Sequence, residues 1–168
     1  MKKLLLLGLT LISLYGCREK EQDPTVLPPA TQEGKNTGGA LVNGEVWVAE
    51  KQKLNIIGNG VPVTEYGFSN NQYYLKIYLY KSNSSIDVIV KDIDDITTKT
   101  YYLNNVNKAL YTPDLWMDYI TSINNIGILK ITKFDKQNKI VSGIFEFDAV
   151  NDNGEVVHIT KGRFDKRF

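Results

Sequence analysis

The sequence predicts an all-β domain, built as an antiparallel β-sandwich or a flattened β-barrel of about eight to ten strands with little helix. Short segments in which apolar and polar residues alternate recur from residue 40 to the C-terminus, and such alternation is typical of half-buried strands. Clusters of Asn, Asp and Gly separate these segments and predict turns. No segment between them suits a long crossover helix, which argues against a parallel α/β sheet.

The first predicted element is a hairpin centred on Asn43 and Gly44, which stand between two short apolar segments. A type I′ turn requires positive φ at both central residues, and Asn and Gly tolerate that conformation. Two further short strands are predicted at residues 54–57 and 61–68.

The clearest alternation lies in residues 72–81. One face carries Tyr73, Leu75, Ile77 and Leu79, and the other carries Tyr74, Lys76, Tyr78 and Tyr80. Residues 85–91 alternate in the same way, and residues 99–103 are rich in Thr and Tyr, which favour strands. We therefore expect one face of this sheet to enter the core and the other to face outward.

Residues 110–122 are ambiguous, because Pro113 suits the first position of a helix and a short helical turn is one interpretation. Beyond them, strands are predicted at residues 126–134, 140–150 and 156–168, with turns at residues 135–138 and 151–154.

Two details concern the last two strands. In residues 140–150, the side chains of Ser142, Glu146 and Asp148 are predicted to face away from the core. In residues 156–168, Ile159 and Phe164 differ in parity, which predicts a bulge at Gly162.

Composition excludes several classes of function. The chain has 168 residues and a formal net charge of +1, so it lacks the basic excess that nucleic-acid binding requires. It contains one cysteine and one histidine, which excludes a disulfide framework within the chain and argues against a zinc site. We expect no cofactor and no bound metal.

The N-terminus predicts export and lipidation. Lys2 and Lys3 precede an apolar run at residues 4–14, which is too short to span a bilayer and is typical of a signal peptide. The sequence Leu14-Tyr15-Gly16-Cys17 resembles a bacterial lipobox. The resemblance implies that residues 1–16 are removed and that Cys17 carries the lipid that anchors the protein to a membrane.

Residues 17–39 predict a lipidated cysteine followed by a flexible tether, and residues 40–168 a single all-β domain. Pro24, Pro28 and Pro29 oppose regular structure in the tether. The charged residues 18–23 resemble surface-export signals of Bacteroidota lipoproteins. That resemblance implies an outer membrane lipoprotein that is exposed at the cell surface, the alternative being the periplasmic face.

The chain also resembles a family of uncharacterised Bacteroidota lipoproteins at both ends of its mature part. At the start the matching residues run from Leu27 to Thr37, followed by Leu41-Val42-Asn43-Gly44 and Trp47; at the end they are residues 141–147, Gly154, Ile159-Thr160 and residues 162–165. That family has no assigned activity, so the resemblance implies location and architecture and supplies no catalytic residues.

The sequence does not predict an enzyme. His158 is the single imidazole, no Gly-x-Ser-x-Gly elbow accompanies it, and no phosphate-binding loop occurs. The carboxylates of Glu146 and Asp148 are interpreted as solvated strand residues and not as a glycosidase pair. The acidic residues 92–95 and the loop at residues 151–155 are interpreted as Asx-rich turns and not as calcium sites.

The tyrosines are the strongest indication of a binding surface. Aromatic side chains beside polar groups supply rigid contact area for sugars or proteins at low entropy cost. The candidate ligand-binding residues are Tyr74, Lys76, Tyr78, Tyr80 and Trp116. The leading hypothesis is non-catalytic recognition of a glycan or an envelope protein, and the alternative is a carrier of a small apolar ligand inside a lipocalin-like barrel.

Overall fold

The computed structural model describes residues 23–50, 64–114 and 117–168. In this part of the chain every regular element is a β-strand and every strand pairing is antiparallel, which confirms the predicted all-β fold. The strands are Thr37–Val42 (β1), Glu45–Val48 (β2), Glu65–Ser69 (β3), Gln72–Lys81 (β4), Ser84–Asp92 (β5), Thr100–Leu103 (β6), Lys108–Asp114 (β7), Met117–Ile120 (β8), Gly127–Asp135 (β9), Ile140–Val150 (β10) and Val156–Arg167 (β11). Within those residues, no helix is long and apolar enough to cross a membrane.

The strands form one open sheet that branches at β10. The main path runs β2-β1-β11-β10-β8-β7-β5-β4-β3, and β9 and β6 form the side branch. The branch arises because one edge of β10 pairs with β9 from Ile140 to Phe147 and with β8 at Val150. Two layers diverge from this point, one containing β9 and β6 and the other containing β8, β7, β5, β4 and β3.

The two layers face each other across a single hydrophobic core. A Cβ atom at Gly38 of β1 would lie 2.4 Å from the Leu79 side chain of β4, so β1 and β4, which do not pair with each other, approach closely across the core. The backbone N–H of Glu50 donates to the carbonyl oxygen of Tyr80 at 2.8 Å, which ties the end of β2 to the end of β4. The fully buried centre of the core contains Leu75, Ile77, Leu79, Ile86, Val88, Val90, Leu103, Ala109, Leu129, Val141, Ala149 and Ile159.

Most predicted elements are confirmed. Residues 72–81 and 140–150 form β4 and β10 with the predicted bounds. Asn43 and Gly44 have φ of 49° and 89° and connect β1 to β2, as a type I′ turn requires. A bulge is present directly beside Gly162, where it was predicted: Gly162 pairs with Phe145, Ile159 pairs with Phe147, and β11 carries one extra residue between Ile159 and Gly162. The predicted strand at residues 54–57, and residues 61–63 of the next one, lie outside the described residues.

The helical turn considered after Pro113 is wrong. Residues 108–114 and 117–120 form the antiparallel strands β7 and β8. The physical reason is that β5 offers an edge whose backbone groups need partners, and residues 108–112 pair along it. Pro113 lies one residue beyond this pairing, where its missing N–H costs no ladder hydrogen bond.

The segment assigned to the tether is in part folded. Residues 37–39 belong to β1, and the backbone N–H of Gly34 donates to the buried carboxylate of Asp165 at 2.7 Å. Ser142, predicted to face solvent, is 1% exposed because residues 31–35 cover that side of β10 and β11. The folded unit therefore includes the last part of the predicted tether.

Candidate functional site

The candidate binding surface is the outer face of β4, which we call the tyrosine face and define as Tyr74, Lys76, Tyr78 and Tyr80. All four side chains are half-buried, whereas Leu75, Ile77 and Leu79, which alternate with them, are fully buried. The tyrosine face is flanked by β5 along its whole length and by β3 only beside Tyr74 and Lys76. Trp116, the fifth residue predicted from the sequence, lies outside the described residues.

Charge on the first half of the tyrosine face is internally compensated. Lys76 Nζ donates to Glu65 Oε2 at 3.1 Å and lies 5.2 Å from the centre of the Tyr74 ring. This hydrogen bond is the main cause of a raised pKa at Lys76. The Tyr74 ring covers Gly67, where a Cβ atom would lie 2.7 Å from its hydroxyl oxygen. Tyr74 is therefore held in one orientation, and the lysine is neutralised by its partner.

The second half of the face contains a weakly acidic carboxyl group. On the neighbouring strand β5, Asp87 lies opposite Tyr78 and Ser85 lies opposite Tyr80. Burial raises the pKa of Asp87 to about 6, and the negative charge of Asp118 adds to the shift. Burial also raises the pKa of Tyr78. This region presents phenol and hydroxyl groups beside a carboxyl group that is mostly ionised at pH 7.

The structure joins two residues that the sequence left apart, His158 and Asp148. They pair across β10 and β11, with His158 Nδ1 2.7 Å from Asp148 Oδ1, and both side chains are exposed. A shallow cavity of about 270 Å³ lies nearby and is lined by Tyr102, Ile126, Gly127, Ile128, Glu146, Phe147, Asp148, Ile159 and Thr160. Only the register of the two strands reveals this pair, so no signal in a single sequence identifies it.

The two acidic regions serve local structure. Asp92 forms an ion pair with Lys99, whereas Asp95 forms one with Lys136, so their carboxylates have different partners. Asn151 Oδ1 accepts hydrogen bonds from the backbone N–H groups of Asn153 and Glu155, as in an Asx turn. Among the described residues, no group of three or more His, Cys, Asp or Glu side chains is arranged to hold a metal ion.

A second aromatic cluster, not predicted from the sequence, lies at the end of the core where β3, β9 and the C-terminus meet. Lys136, in the turn after β9, lies over the rings of Tyr66 and Tyr73 and pairs with Asp95. Burial alone would raise the pKa of Asp95, but hydrogen bonds from Lys136 and Tyr66 outweigh it and hold that pKa below its usual value. These residues are scattered along the sequence, and only the fold brings them together.

The alternative of an apolar-ligand carrier would require an internal cavity. Apolar side chains, both aliphatic and aromatic, pack together in the described core. Two cavities within the described residues, of about 270 and 770 Å³, both open to solvent.

One comparison with known proteins is positive. A family model described as "Domain of unknown function (DUF6252)" matches residues 39–166, which is most of the chain and nearly all of its sheet. No curated protein and no solved structure matches the chain.

Proposed function

The chain belongs to the DUF6252 family, and we propose that it is a non-catalytic recognition module of the bacterial cell envelope that binds a glycan through the tyrosine face. The observation that supports this proposal is the row of three tyrosines on one outer sheet face, each of them half-buried. Rings held in this way lose little entropy when a ligand packs on them.

The chemistry of the face favours a glycan over an anionic partner. A sugar ring presents an apolar C–H surface that packs on an aromatic ring, and hydroxyl groups that hydrogen-bond to polar neighbours. The tyrosine face offers both, because Tyr78 and Tyr80 lie beside Asp87 and Ser85. The Lys76–Glu65 pair leaves no free positive charge there to attract an anionic partner.

The location is proposed from the sequence. The lipobox-like residues 14–17 support acylation of Cys17, and several acyl chains on one residue anchor a protein durably. The charged residues 18–23 support export to the outer surface of the outer membrane. A module held there would meet glycans from outside the cell.

The first experiment tests the surface. We would compare the double variant Tyr78→Ala/Tyr80→Ala with Tyr102→Ala on a glycan array. Tyr102 is a matched control because its side chain is 67% exposed and lies on β6, in the other layer. We expect wild type and the Tyr102 variant to bind the same glycans, and the double variant to lose at least about tenfold in affinity while its far-ultraviolet circular dichroism stays unchanged.

Two outcomes would contradict this proposal. Equal glycan binding by the double variant would move the site elsewhere on the protein. If no glycan binds but the tyrosine face captures an envelope protein in cross-linking experiments, the partner is a protein and the glycan assignment is wrong.

The second experiment tests the location by treating intact cells with trypsin, with lysed cells as the control. Arg18 and Lys20 precede the described part of the chain and are expected to be cut wherever the protease reaches them. Release of the domain from intact cells supports surface exposure. Release only after lysis would place the domain inside, and the search for a ligand would turn to the periplasm.

A further inference from the structure

Five aromatic rings from three separate stretches of the sequence meet at one end of the core. Their ring centres are 4.9 to 6.2 Å apart in successive contacts. The rings belong to Tyr66, Phe68, Tyr73, Phe134 and Phe168. Tyr66 is central, because it contacts Tyr73, Phe134 and Phe168. Four of the rings, those of Tyr66, Tyr73, Phe134 and Phe168, are partly buried and pack against the hydrophobic core.

Two of these rings present their faces to a cation. The rings of Tyr66 and Tyr73 are nearly parallel, with 5° between their planes and 6.2 Å between their centres. Lys136 Nζ lies 5.2 Å from the centre of the first ring and 5.7 Å from the centre of the second. Both distances lie within the range in which the ring quadrupole attracts a cation.

A carboxylate completes the arrangement. Asp95 forms an ion pair with Lys136 and accepts a hydrogen bond from the Tyr66 hydroxyl at 2.7 Å. Its own backbone has a φ of 123°, a conformation that L residues rarely adopt. The N–H of Ile96 donates to the same carboxylate at 2.7 Å. Strained backbone of this kind persists where surrounding contacts hold it, and it is concentrated at ligand-binding sites.

Two aromatic faces and an anion are the groups with which proteins recognise organic ammonium ions. The ammonium group that fills the site here belongs to the protein itself. Lys136 lies in the turn between β9 and β10, and its side chain is 51% exposed. An open cavity of about 770 Å³ adjoins it and is lined in part by Asp95, Phe134 and Gln137. A side chain on a surface turn that borders such an open cavity has space to move away from the two rings.

We propose that Tyr66, Tyr73 and Asp95 form a cage for an organic ammonium ligand, of the quaternary or N-methylated class, and that Lys136 is its built-in competitor. The ligand would place its cationic head over the two rings and against the carboxylate. Lys136 would then swing into solvent. This site is separate from the tyrosine face and does not depend on the function proposed for that face.

The test uses tetramethylammonium as the probe. The Lys136→Ala variant removes the competitor, and Lys130→Ala is the matched control because Lys130 is an exposed lysine of β9 outside the cage. Binding is followed by the chemical shifts of the tyrosine ring protons during titration. We expect the Lys136→Ala variant to bind tetramethylammonium at least about tenfold more tightly than either wild type or the Lys130→Ala variant.

A second variant locates the binding. Adding Asp95→Asn to Lys136→Ala removes the carboxylate charge but keeps the rings, and we expect affinity to fall at least about tenfold from that of the single variant. The proposal is overturned if the folded Lys136→Ala variant shows no saturable shift at millimolar tetramethylammonium. It is also overturned if the Asp95→Asn addition leaves affinity unchanged. Either result would mean that Lys136 only stabilises the β9–β10 turn.

Discussion

The buried carboxylate of Asp165 accepts a hydrogen bond from the hydroxyl of Ser142, with Oδ1 and Oγ 2.8 Å apart. The same carboxylate accepts hydrogen bonds from the hydroxyl of Thr31 and from three backbone N–H groups, those of Glu33, Gly34 and Lys35. Burial opposes ionisation, but these bonds outweigh it and hold the pKa of Asp165 below its usual value. One side chain thus fixes the segment before β1 to β10 and β11.

Asp165→Asn is expected to destabilise the fold by at least about 2 kcal/mol. The amide can accept through one oxygen, but its NH₂ group would face donors whichever way it turns. With the amide nitrogen at the Oδ2 position, it would meet the Thr31 hydroxyl and two backbone N–H groups. Urea unfolding measures the change, and limited proteolysis should show new cleavage within residues 31–36.

Ser142→Ala is the milder companion variant. It removes one bond of the network and leaves the charge and the other four donors in place, so we expect a loss of about 1 kcal/mol. If Ser142→Ala lowers stability as much as Asp165→Asn does, the hydrogen bonds from residues 31–35 to the Asp165 carboxylate contribute little to stability.

Because Lys166 is buried, we expect the free energy of unfolding to rise in alkaline solution. It is 2% exposed and pairs with Val141 on the core side of the sheet, and burial lowers its pKa from 10.5 to about 8. Between these two values the unfolded chain binds more protons than the folded chain, so the free energy of unfolding increases as pH rises from about 8 to about 10.5. The penalty carried at neutral pH is about 3 kcal/mol.

Lys166→Met isolates this effect from the titration of the tyrosines. We expect the variant to be more stable than wild type at pH 7 by up to about 3 kcal/mol, and the difference to shrink toward pH 10. Denaturant titrations at pH 7, 8.5 and 10 provide the measurement. A difference that stays constant with pH would show that Lys166 is not titrating in the folded protein.

For Asp87 we expect the opposite trend: the free energy of unfolding falls as pH rises through the acidic range. Its folded pKa of about 6 lies above the ordinary value of 3.8, so the folded chain binds more protons between these values. The free energy of unfolding therefore falls as pH rises through this window. Asp87→Asn should be more stable than wild type by about 1–2 kcal/mol at pH 7, after screening by solvent, and nearly equal to it at pH 4. Thermal unfolding at the two pH values tests this, and equal gains at both would contradict it.

Alanine substitutions at Gly44 and Gly162 distinguish the cost of backbone strain from the cost of steric crowding. At Gly44 a Cβ atom would meet nothing within 4 Å, so Gly44→Ala should cost only the strain of φ +89°, about 1 kcal/mol. At Gly162 a Cβ atom would lie 2.4 Å from the Phe145 ring and 2.5 Å from the Phe145 carbonyl oxygen. Gly162→Ala should therefore cost more, about 2–4 kcal/mol. Chemical unfolding of both variants gives the order, and a reversed order would refute the close packing at the bulge.

The sequence by itself determined those features that local chemistry controls. Alternation in residues 72–81 placed Leu75, Ile77 and Leu79 in the core, because successive side chains of a strand point to opposite faces. Asn43 and Gly44 specified their turn because few other residues tolerate positive φ. Ile159 and Phe164 differ in parity, and this break in the alternation of side chains along the strand located the bulge.

Tertiary structure alone decided the features that depend on partners distant in sequence. The stretch around Pro113 became a hairpin because the edge of β5 required pairing, and Ser142 became buried because residues 31–35 fold over it. The cage of Tyr66, Tyr73 and Asp95 with Lys136 joins four separate elements. Local sequence specifies which face of a strand is apolar, but the strand order and register that bring such residues together follow from minimising unpaired backbone and exposed apolar surface over the whole chain.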